Sequence, residues 1–162
     1  RQDGLDPTTI RRVTDRGMAE NAAAVASGTL DVAQLFEPLA SALEREGKGH
    51  VWHACASRGP TSYTTFYSST QRMAEMGPEF RAMIRGLART LRWFVGASPA
   101  EVVATIAPFF AEGDRALMEA AVARYKALGI WTDHPHFPRE AFDRLEHHMF
   151  TGGAIRRKPG FD

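Results

Sequence analysis

The chain has 162 residues, 44% of them hydrophobic and 24% charged, which is enough apolar material for one core or two small ones. Lysine and arginine together number 20 against 19 aspartates and glutamates, and a formal net charge of +1 lays down no broad cationic surface for nucleic acid. No run of about 18 apolar residues is present to span a bilayer, and a single cysteine, Cys55, excludes an internal disulfide. Lying in an apolar run, Cys55 is expected as a small buried residue.

In chain order, Arg1-Gln2-Asp3-Gly4 has neither an initiator methionine nor an apolar leader, which reads as a processed product or a fragment. Residues 1–5 resemble the end of a helix closed by Gly4. Asp6 and Pro7 have the chemistry of an N-cap and first residue for about one turn, and Ile10 to Thr14 reads as a short strand. Met18 to Ser27, rich in alanine, is a helix that Gly28 closes. Val32, Ala33, Leu35 and Phe36 are apolar on both faces, as in a strand buried under helices. Glu37 and Pro38 then lie beyond the strand's carboxyl end, where parallel sheets meet their ligands; equally, Glu37 caps the helix Leu39 to Glu46, which Gly47 stops. His50 to Cys55 is a third strand candidate, and after a turn at Gly59-Pro60 a β-prone run continues to Ser68. These elements predict an α/β fold, with residues 1–69 forming a partial α/β ligand-binding lobe and residues 70–162 a helical region.

From Ser69 onward the pattern is helical. Phe80, Met83, Ile84, Leu87, Leu91 and Phe94 keep helical spacing from Gly77 to about Gly96, the longest element. Ser98-Pro99-Ala100-Glu101 is a capping box with proline at the first helical position. Asp114 caps the next helix, which ends at Gly129, and Pro138 opens the last, closed by Gly152-Gly153.

Ser57, Arg58, Thr61, Ser62 and Tyr63 crowd hydroxyls and a guanidinium into one corner that can hydrogen-bond a polar or anionic ligand. The alternative is a polar loop whose hydroxyls satisfy its own backbone. Glycine-rich phosphate loops and nucleophile elbows are absent, so no catalytic group or cofactor is expected. His134, His136, His147 and His148 do not predict a metal site, since adjacent side chains on a helix point roughly 100° apart and miss the i, i+4 arrangement. Trp52, Trp93 and Trp131 are expected in packing.

The segments MAENAAAVASGTLDVAQLFEPLASALEREGKGHV, SRGPTSYTTF, PEFRAMIRGLARTLRWFVGASPAEVVATIAPFF and ARYKALGIW resemble the nitrate/sulfonate/taurine class of ABC-transporter solute-binding proteins, in the group related to thiamine-pyrimidine-precursor binders. The resemblance implies a type II periplasmic-binding fold, here part of the second lobe plus C-terminal helices. It also implies a small polar or anionic ligand (a thiamine-precursor pyrimidine, a sulfonate, nitrate or similar) in a cleft between lobes, an ABC permease as partner, and a periplasmic or cell-envelope location. Cleft-facing positions carried over are Glu20 and Asn21 at a helix N-terminus, Glu37, and the corner from Ser57 to Tyr63, with Glu37 and Ser62 foremost. The first lobe's sheet and the second lobe's opening strand and helix are missing from the pattern. Helices that would cover the absent sheet are expected to leave apolar surface for dimerisation or element exchange. Two alternatives share the fold: pyrimidine synthases of thiamine biosynthesis, whose cysteine-rich motif has no counterpart here, and effector-sensing domains of transcription regulators.

Overall fold

A computed structural model describes residues 6–161, so the helix end expected at residues 1–5 lies outside the described residues. The chain divides into two compact units, Arg1–Trp52 and His53–Asp162.

In the first unit the Asp6 carboxylate accepts from the Thr8 backbone N–H at 2.9 Å and the Thr8 hydroxyl at 2.7 Å, capping a 3-10 turn over Pro7–Thr9. These two hydrogen bonds, the backbone one foremost, hold the Asp6 carboxyl below its ordinary range. Helix α1 (Met18–Ala26) and helix α2 (Leu39–Arg45) stop by the same device. Gly28 and Gly47 take φ of +73° and +63°. Thr29 and Lys48, one residue further on, donate back to Ala24 and Leu43 at 2.8 Å, so both ends are Schellman motifs. The two helices are in contact, and Ala22, Ala24, Ser41 and Leu43 are their buried residues. Small side chains let the backbones approach but bury little area, and a shallow groove lined by Ala22, Ala26, Leu39 and Leu43 remains between them.

The second unit holds α3 (Thr70–Glu75), α4 (Gly77–Gly96), α5 (Pro99–Ile106), α6 (Arg115–Ala127) and α7 (Arg139–Thr151). Each N-cap expected at Ser98 and Asp114 is made. The Ser98 hydroxyl accepts from Glu101 N–H at 3.3 Å while the Glu101 carboxylate accepts from Ser98 N–H at 2.7 Å, and Asp114 accepts from Leu117 N–H at 3.0 Å. The core sits where α5 crosses α6: Ala97, Val102, Val103 and Val122, flanked by Phe94, Ile106 and Met118. Trp131 packs edge-on to Phe94 and Tyr125, with centroids 4.6 and 5.4 Å away. Lys126 of α6 donates its ammonium to the Phe94 carbonyl and, at 2.9 Å, to the Val95 carbonyl, capping the negative end of α4 from a neighbouring helix.

The helices match their sequence pattern, but the α/β expectation is overturned. Among the described residues there is no strand and no sheet. Ile10–Thr14, Val32–Phe36, His50–Cys55 and the β-prone run to Ser68 make no ladder, and the second-lobe architecture implied by the resemblance falls with them. The physical reason is that a helix closes its hydrogen bonds within one segment, whereas a strand exists only through a neighbour. Without a ladder among the described residues, these runs leave apolar side chains in water: Val32 is 63% exposed and Trp52 78%, so Trp52 is not a packing residue. Cys55 is also exposed, at the start of a 3-10 turn over Cys55–Arg58, instead of buried in a strand.

Candidate functional site

The corner after that turn is organised by a residue that its own sequence does not contain. Gly59 leaves the turn at φ +104°, and a Cβ there would stand 3.0 Å from the Arg144 guanidinium. Arg144, on α7, donates from Nη1 to the Arg58 carbonyl at 2.7 Å and from Nη2 to Glu140 at 3.3 Å. Three residues beyond Gly59, the Ser62 N–H donates to the Ala141 carbonyl at 3.2 Å. The stretch from Arg58 to Ser62 is thus held against the first two turns of α7 at two points. Sequence reasoning missed Arg144 because its local signal, Glu140 four residues earlier, reads as an ordinary surface pair.

Within the corner the hydroxyls divide. Ser57 donates to the Ala54 carbonyl at 2.8 Å, which is the local backbone satisfaction that serines commonly provide. Thr61 and Tyr63 are exposed. The Ser62 hydroxyl oxygen and the Arg144 Nε are buried with no hydrogen-bond partner among the described residues. Arg58 donates from Nε to His53 at 3.3 Å and keeps an exposed guanidinium. Two guanidinium groups and one unsatisfied hydroxyl, with the Glu140 carboxylate paired to Arg144, offer donors and positive charge, the complement of an oxyanion or a polar acceptor.

The other expected positions lie in the first unit. Glu20 returns to Gly17 N–H at 2.7 Å, the half of a capping box that a glycine N-cap permits. Asn21 is half-buried, with a buried Oδ1 that has no hydrogen-bond partner among the described residues. Glu37 accepts from Ser41 N–H at 3.0 Å, a cap on α2, and the Glu37–Pro38 peptide is cis. Both glutamates therefore hold helix ends. The His134 and His136 rings lie 5.2 Å apart and those of His147 and His148 6.0 Å, and among the described residues no three His, Cys, Asp or Glu are grouped to hold a metal.

No family model matches the chain, and no solved structure does. The chain is 26% identical over 153 residues to the "Putative binding protein YtlA" of Bacillus subtilis (strain 168), covering 93% of this chain and 46% of that protein. It thus spans about half the length of the curated relative it matches. The likeness is thus to a protein whose name gives it a binding role.

Proposed function

We propose that the chain works by binding a small polar or anionic molecule without covalent chemistry, as part of the substrate-binding component of an ABC importer in the cell envelope that delivers its ligand to a permease. The observation that carries this reading is the likeness to a binding protein along 93% of the chain. The corner from Ser57 to Tyr63, with Arg144 behind it, supports the ligand class, because a buried hydroxyl and guanidinium N–H without partners are costly unless an acceptor arrives. Sulfonates, nitrate, carboxylates and pyrimidine precursors are the compounds to test. Thermal-shift and titration calorimetry should find one that stabilises the chain, by roughly 2.7 kcal/mol at a hundredfold excess over its Kd. Ser62→Ala and Arg58→Ala should each weaken that compound while leaving the unliganded melting temperature close to its original value. Binding that neither substitution weakens would remove the corner from the site, and a chain that binds none of these classes would overturn the reading.

A further inference from the structure

We infer that residues 62–68, Ser-Tyr-Thr-Thr-Phe-Tyr-Ser, pair antiparallel with the same residues of a second copy of the chain, so that a ladder absent from one copy is completed by a two-fold dimer. The run reads nearly the same in both directions about Thr65: Ser62 answers Ser68, Tyr63 answers Tyr67, and only Thr64 and Phe66 break the match. An antiparallel pair with its two-fold axis at Thr65 therefore sets Thr65 against its own copy, Tyr63 against Tyr67 at both ends, and each Phe66 against a Thr64. Aromatic pairs and aromatic–β-branched pairs are favourable cross-strand neighbours. The seven residues hold no charge, glycine or proline, so nothing in the run repels a copy of itself or interrupts the pairing.

The surroundings of the run fit this use. Residues 62–68 lie in no helix or turn, and Tyr63, Phe66 and Tyr67 are all exposed, Tyr67 at 94%. Among the described residues the backbone N–H groups of 64–68 donate no hydrogen bond. In an extended chain successive peptide groups point to opposite edges. Ser62 turns its N–H to the Ala141 carbonyl of α7 at 3.2 Å, so that edge also takes Thr64 and Phe66, and the opposite edge carries Thr65 at its centre. Thr65 and its copy then exchange both of their hydrogen bonds across the axis. Because each copy offers the edge turned away from α7, the pairing closes at two chains and does not propagate. The aromatic rings of both copies would bury at most about 900–1,500 Å², near the lower bound of about 1,200 Å² for stable interfaces. The dimer is therefore reversible, with a Kd that is roughly micromolar.

Sedimentation equilibrium of the whole chain over a concentration series tests this, and a monomer–dimer equilibrium is expected. Thr65→Pro removes the amide at the two-fold axis and should weaken the dimer by about tenfold or more. Thr65→Val keeps a β-branched side chain and should leave the Kd within about threefold. Charge reads the register. Tyr63→Lys/Tyr67→Lys brings like charges face to face at both ends, whereas Tyr63→Lys/Tyr67→Glu brings opposite charges together, and the second should dimerise on the order of tenfold more tightly than the first. All these positions are exposed, and circular dichroism with the thermal midpoint confirms folding. A chain that stays monomeric throughout, or a dimer that Thr65→Pro leaves intact, overturns the proposal. Equal dimerisation of the two tyrosine double variants also overturns it, since a parallel in-register pair opposes like charges in both. Growth into open-ended assemblies overturns the closed dimer, because both edges of the run would then be in use.

Discussion

Two stretches of the second unit have a similar supply of apolar side chains and opposite fates. On α5, Val102 and Val103 are 3% and 1% exposed; on the extended run after Pro60, Tyr63, Phe66 and Tyr67 are 79%, 72% and 94% exposed. Backbone accounting separates them. The peptide groups of α5 are satisfied inside the helix and at its Ser98–Glu101 cap, so its apolar face is free to leave water. The extended run has no ladder among the described residues, and its aromatic rings stay exposed. Between these two stretches burial goes with hydrogen-bond closure, and hydrophobicity alone does not bring it about.

That contrast can be broken or sharpened by substitution. The largest effect is expected at Val103, where truncation to alanine opens a cavity between α5 and α6; urea unfolding should show a loss of about 2–3 kcal/mol. Next is Lys126→Met, which leaves the Phe94 and Val95 carbonyls without their charged donor and should cost about 1.5–2 kcal/mol by the same measurement. Ser98→Ala removes one arm of the capping box and should cost about 1 kcal/mol. The same cap predicts a pH dependence. Hydrogen bonds from the Ser98 backbone and, second, the Ser98 hydroxyl hold the Glu101 carboxyl below its ordinary value of 4.5. Its contribution is therefore complete above 4.5 and disappears as pH falls through the lowered value, so the melting temperature of the parent should drop more on acidification than that of Ser98→Ala. The smallest effect belongs to the other side of the contrast: Tyr67→Ser should change stability by less than about 0.5 kcal/mol. A large loss there would mean that the run is packed after all.

The helices were legible because their evidence is local. Ser98-Pro99-Ala100-Glu101, Asp114 and the glycines at 28, 47 and 129 each carry a stop or start signal within a few residues, and the elements end where those signals stand. The sheet was misread for the complementary reason. Val32 to Phe36 has a composition suited to a strand, but composition describes what a segment does when given a neighbour, and none is paired with it here. Of the candidate site, the local readings fared best: Glu37 as a helix cap and Ser57 as a hydroxyl serving its own loop were both open alternatives, and both contacts are made. Arg144 could not be found, because nothing near it in sequence refers to Arg58.

The Arg144–Arg58 hydrogen bond spans 86 positions of the chain, which gives it a place in time as well as in space. Closing so long a flexible loop costs about 4 kcal/mol of chain entropy, more than the roughly 1.5–3 kcal/mol that a charged hydrogen bond returns. The contact cannot lead folding. It becomes affordable only after α4, α5 and α6 have condensed and shortened the effective loop, so the corner should be the last part of the second unit to gain protection in refolding and the first to lose it. Pulse-labelled hydrogen exchange at the Ser62 amide, which donates to Ala141 beside the same clamp, would report that order.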